Sequence, residues 1–174
     1  MAAQLAEGQE AERATRATEL AAAAEVAHDQ LPTALVGLAA LVPPAGGDSG
    51  ATVPATDVEA WTAALDASAD ALGGTAEGDE DQTVTRGALL GAVGLLRSAV
   101  EGTAGLPAEA GPARQEQLAR VARDRDAGVA LWQAGATRLD GLVLDAGGEH
   151  THLFLAPDGD PRSVPREFQE PDED

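Results

Sequence analysis

Cysteine, lysine and tyrosine are all missing from this chain of 174 residues. Without cysteine there are no disulfides, no thiol nucleophile and no thiolate metal site, and the redox compartment stays open. Aromatic residues are nearly absent as well: Trp61, Trp132, Phe154 and Phe168 are the whole set. With three histidines, the stock of catalytic groups is small. No G-x-S-x-G elbow, P-loop, dinucleotide fingerprint or HExxH motif is present. An enzyme is not expected, and no cofactor is implied.

Positive charge is scarce too. Eleven basic residues, every one arginine, face 30 acidic ones, for a net charge of −19. That balance repels nucleic acid and anionic membrane surfaces, so neither is an expected partner. The Arg114, Arg120, Arg123 and Arg125 cluster is interleaved with Glu116, Asp124 and Asp126, and nearly neutralises itself. The start of the chain carries Glu7, Glu10 and Glu12 instead of a basic, then apolar, block. A classical signal peptide is therefore not expected there. The composition points to a soluble protein, cytoplasmic, in a virion or secreted by a non-classical route.

Long apolar runs are also lacking. The longest all-round apolar stretch, Gly87–Leu96 within Thr83–Gly102, is half of what a membrane span requires. In a soluble protein such a helix sits at the centre of a bundle, with a neighbour on every face. Gly87, Gly91 and Gly94 recur in it, although glycine costs roughly 1 kcal/mol per helical position relative to alanine. Close approach of a second helix accounts for that expense.

What is abundant is alanine in heptad register. Ala14, Ala17, Ala21, Ala24, His28, Leu31, Leu35, Leu38 and Val42 form a sustained seam over residues 3–42. Pro32 interrupts it and predicts a kink or a break, with a new helix starting near residue 31. After Pro43-Pro44, residues 45–54 read as a flexible loop. Thr56-x-x-Glu59 reads as a capping box opening a second helix, with a seam of Val58, Trp61, Leu65, Ser68 and Leu72. Residues 75–82 read as a solvated acidic loop. A fourth helix from Pro112 to about Asp145 carries Leu118, Ala122, Arg125, Val129, Trp132, Ala136, Leu139 and Val143. Its Gly128 and Gly135 are natural partners for the glycines of the third helix. Arg125, the one charge in that seam, is expected to pair with an acid on a facing helix or to snorkel outward.

The expected fold is all-α: an antiparallel four-helix bundle with Ala/Gly interfaces over residues 1–148. Residues 149–174 are expected to form a short β-hairpin or an extended acidic docking tail. Thr151–Leu155 has strand composition, Pro157-Asp158-Gly159 is a turn signal, and Arg162–Val164 is the candidate returning strand. Taken as a docking element outside the core, this segment should be removable without changing helix content or melting temperature. His152, Leu153, Phe154, Leu155, Val164 and Phe168 are its candidate partner-binding residues.

Two histidine patterns are candidate metal sites. Glu25 and His28 share a helix face at i, i+3, a spacing that resembles half the ligand set of ferritin-like di-metal bundles. A two-fold dimer would have to supply the other half, with Glu19 or Glu101 as additional ligands. His150 and His152 stand at i, i+2, on one side of an extended strand, with Glu149, Asp158 and Asp160 near in sequence. The functional expectation is a non-enzymatic interaction or structural protein that binds a protein partner, forms a homo-oligomer, or both. Adaptor, virion and secreted-assembly roles all fit. A ferritin-like metal-binding bundle and an acidic inhibitor or immunity protein for a basic target are the alternatives.

Overall fold

The computed structural model describes residues 2–76 and 78–164. Among the described residues, four helices carry the fold: α1 (Ala2–Leu41), α2 (Ala55–Gly73), α3 (Glu80–Glu101) and α4 (Pro112–Asp145). One 3-10 turn, Pro161–Ser163, follows, and no strand occurs among the described residues. None of the helices is long and apolar enough to cross a membrane.

The heptad seams become the core. In α1, Ala17, Ala24, Leu31, Leu35 and Leu38 are buried, as is Val42 just beyond its end, joined by Leu20, Ala27, Ala34 and Leu41 from the adjacent positions. Pro32 lies inside α1 without ending it. The break expected there is absent, because buried Leu31, Ala34 and Leu35 on either side hold the helix to its neighbours. Packing of this kind outweighs local propensity.

Helix α2 meets α1 through its one large aromatic. A Cβ built on Gly37 would lie 2.0 Å from Trp61 Cζ2, so the indole rests directly on the α1 backbone. Farther along, the buried Ser68 hydroxyl is 3.1 Å from the Ala27 carbonyl of α1 and 2.9 Å from its own Ala64 carbonyl. On the other side, α4 meets α3 through glycine. A Cβ at Gly128 would reach within 3.0 Å of Leu96, and one at Gly135 within 2.8 Å of Leu89.

The glycines of α3 behave differently from expectation. Gly87, Gly91 and Gly94 are all exposed, and a Cβ at Gly87 or Gly94 would meet nothing within 4 Å. Only Gly91 approaches α4, at 3.1 Å from the tip of Leu131. Helix α3 is therefore not enclosed on every face; its glycine side is open. The close contacts are made by Gly128 and Gly135 of α4 against leucines of α3.

Two caps also differ. Helix α2 starts at Ala55 behind Pro54, and no side chain caps it. The working capping box is Asp79-x-x-Gln82: Asp79 Oδ1 accepts from Gln82 N at 2.9 Å, and Gln82 Oε1 accepts from Asp79 N at 3.2 Å. It extends α3 back into the stretch expected to be a loop. Gln82 and Asp79 also tie the first turns of α1, through Gln82 Nε2 to the Arg13 carbonyl at 2.9 Å and Arg13 Nε to Asp79 at 2.5 Å. That lateral tie favours the Asp79 cap.

Arg125 is fully buried. It donates to the Val42 carbonyl at the end of α1 and, at 2.8 Å, to Asp126 beside it in sequence. The expected acid on a facing helix is replaced by a backbone carbonyl. Arg114, read as part of a self-neutralising surface cluster, is 3% exposed and clasps two loops. It binds Asp48 at 2.8 Å, the Ala51 carbonyl at 2.8 Å and the Pro107 carbonyl at 2.9 Å.

Candidate functional site

All three histidines lie along the segment that follows α4: His150 and His152 within it, and His28 on α1 against its Phe154 carbonyl. The helix stops in a Schellman arrangement, with Gly148 N bonded to the Val143 carbonyl at 2.9 Å and Gly147 N to the Leu144 carbonyl at 2.9 Å. Gly147 sits at φ +79°, a conformation that L side chains rarely adopt. The chain then turns back and runs as an irregular extended strap, residues 149–156, over α4 and α1.

Side chains of the helices hold this strap by its backbone. Asp140 Oδ1 accepts from Thr151 N at 2.6 Å, and Asp140 Oδ2 lies 2.9 Å from His150 Nδ1. Trp132 Nε1 donates to the Leu153 carbonyl at 2.5 Å. His28 Nε2 lies 3.1 Å from the Phe154 carbonyl, which has only lone pairs to offer, so the proton sits on Nε2. Gln133 Nε2 donates to the Leu155 carbonyl at 2.6 Å, and its Oε1 accepts from Leu155 N at 3.3 Å. Three consecutive carbonyls, at 153, 154 and 155, are thus each met by a different donor from two helices. A buried peptide group without partners is costly, and with no ladder present these side chains stand in for a neighbouring strand.

Apolar anchoring accompanies the polar array. Leu153, Leu155 and Ala156 are 8%, 3% and 2% exposed, and the two leucines belong to the same buried cluster as the helix seams. The core therefore runs across the boundary drawn from sequence between residues 148 and 149. Beyond it, Ala156–Gly159 forms the expected turn, closed by Gly159 N to the Ala156 carbonyl at 3.0 Å. Gly159 lies on α1, where a Cβ would come within 3.1 Å of Val36 N. The returning strand expected at residues 162–164 is replaced by the 3-10 turn. Asp160 caps that turn, accepting from Arg162 N at 2.9 Å and pairing with the Arg162 guanidinium at 2.8 Å.

Electrostatics fit this arrangement. Burial acts to raise the Asp140 carboxyl, but the Thr151 amide and then His150 outweigh it, and the group is held below the usual carboxylate range. Asp160 is lowered by its hydrogen bonds to the side chain and backbone of Arg162.

The candidate residues distribute as follows. Leu153 and Leu155 face the helices, Phe154 is half-buried, and His152 is exposed with its ring 6.3 Å from that of His150. Val164 follows the 3-10 turn and is half-buried; Phe168 lies outside the described residues. His28 is drawn to the strap, its ring 6.4 Å from that of Trp132, while Glu25 beside it is exposed. His150 is drawn to Asp140. Among the described residues no three His, Asp or Glu side chains converge as a metal-binding group.

Sequence reasoning missed Gln133 and Asp140, which flank the α4 seam and carry no motif. Trp132 was legible only as a core residue; its indole N–H role depends on where the strap returns. Comparison with protein-family models, with curated proteins and with solved structures returned no match for this chain.

Proposed function

We propose that this protein is a non-enzymatic interaction protein: an antiparallel up-down four-helix bundle that assembles with itself or with a protein partner through its C-terminal segment. The antiparallel reading rests on paired positions whose numbers run in opposite directions. Gly37 meets Trp61 and Ala27 meets Ser68; Leu96 meets Gly128 and Leu89 meets Gly135.

One observation carries the functional reading. The strap is bound the way peptide ligands are bound, with backbone groups read by side chains and alternate residues anchored in an apolar surface. The acidity of the whole molecule favours neutral or basic protein surfaces as partners and disfavours nucleic acid and anionic membranes.

Native mass spectrometry of the full chain across a concentration range tests this reading. Defined oligomers or a stoichiometric protein complex are expected. A monomer at every concentration that forms no complex with any protein overturns it.

A further inference from the structure

The groove that receives the strap has every property of a binding site except a separate ligand. We propose that it also accepts the strap of a second copy of this chain, so that two molecules associate by exchanging residues 149–164. This rests on the self-assembly arm of the function proposed above, and it names both the receiving groove and the donated segment.

Three observations support exchange. The occupant is already known to fit, because the segment that fills the groove in one molecule is identical in the next. Its attachments are to the side chains of His28, Trp132, Gln133 and Asp140, with two leucines seated beneath, and no ladder ties it to its own helices. Each of these contacts is the same whether strap and groove belong to one chain or two, which is the condition for low-cost swapping. The connection is also suited to redirecting the strap: residues 147–150 are exposed, and Gly147 occupies a backbone region from which it can rotate without a Cβ penalty. A change at this one joint turns the strap toward a neighbour at the cost of the Gly148–Val143 bond of the cap, and leaves the rest of α4 in place.

Charge sets the conditions. Each chain brings a net −19, so the exchanged dimer is opposed by long-range repulsion at low ionic strength. Dimer should therefore increase as salt rises to about 0.15 M, where the Debye length falls to about 8 Å.

The absence of native cysteine permits a direct test. One full-length chain carries Asp140→Cys and another carries Thr151→Cys, positions whose side-chain oxygens lie 3.4 Å apart across the strap contact. Neither chain can form that disulfide within itself. The two are mixed in a thiol redox buffer, and the disulfides are mapped by peptide mass spectrometry. Exchange predicts that the mixed 140–151 disulfide far exceeds its statistical share over the two symmetric ones. A statistical mixture, or no dimer, overturns exchange.

A second measurement needs no substitution. In a mixture of isotope-labelled and unlabelled native chains, exchange predicts intermolecular nuclear Overhauser contacts between the Gln133 amide and Leu155. Contacts within one chain only overturn it. Native mass spectrometry of the unsubstituted protein separates the two levels of the argument. An oligomer without strap contacts between chains removes the exchange and leaves the assembly reading standing; a partnerless monomer removes both.

Discussion

Gly37 and Gly94 look alike in sequence, each a glycine inside a helix, and the fold gives them opposite roles. At Gly37 an added methyl would strike the Trp61 indole, so Gly37→Ala should destabilise by about 1–3 kcal/mol, the usual cost of over-packing a core contact. At Gly94 the space is open, and Gly94→Ala should stabilise by about 0.5–1 kcal/mol by restricting the unfolded chain and favouring helix. Denaturant melts of the two variants check both signs; a gain at Gly37 or a loss at Gly94 contradicts the packing described. Gln133 offers a third case at this scale. It is 7% exposed and pairs with both backbone groups of Leu155. Gln133→Ala leaves a buried amide and carbonyl without partners and should cost about 1–3 kcal/mol. Helix α4 itself should be unaffected by circular dichroism.

Among elements, the strap is the one whose status changes most between sequence and structure. Its alternating apolar pattern was legible, and so was the turn at Pro157-Asp158-Gly159. Its destination was not. Burial of Leu153 and Leu155 reverses the expectation that its removal leaves melting unchanged. Burying a leucine is worth roughly 1.5–3 kcal/mol, so truncation after Gly148 should lower the melting temperature while retaining most of the helix signal. Differential scanning calorimetry decides between the two; an unchanged transition would detach the strap from the core. Helix α3 shows the same lesson in reverse. Its apolar circumference promised complete enclosure, yet small residues have little apolar area to hide, and its glycine face is left to solvent.

For the molecule as a whole, acidity works in two directions. Asp48 is lowered chiefly by its side-chain bond to Arg114, Asp79 chiefly by the Gln82 backbone amide, and Asp140 and Asp160 by the partners described above. A carboxyl whose pKa is depressed by folding contributes stability that is present above its unfolded value and lost as pH falls through its folded value. The net charge of −19 opposes compaction at neutral pH through self-repulsion. Stability held by the four tied aspartates should be lost as pH falls below the ordinary carboxylate range and they protonate. Thermal melts from pH 8 to pH 2 check this, and a steady rise down to pH 2 would show that the four ties contribute little.

The amino-acid sequence by itself determined the helical class, the approximate spans of α2, α3 and α4 and most of the buried seam positions, because heptad spacing and Gly/Pro punctuation are local and periodic. It also excluded thiol chemistry and set the charge. Tertiary structure decided which glycines are contacts, which of two capping boxes operates and where Arg114, Arg125 and the strap find partners. Those outcomes depend on distances between residues far apart in the chain: 66 between Arg114 and Asp48, 126 between His28 and Phe154. The capping boxes show why such choices are not local. Thr56-x-x-Glu59 and Asp79-x-x-Gln82 are comparable as motifs, and only the second lies beside Arg13 of α1, whose carbonyl and guanidinium engage its two side chains.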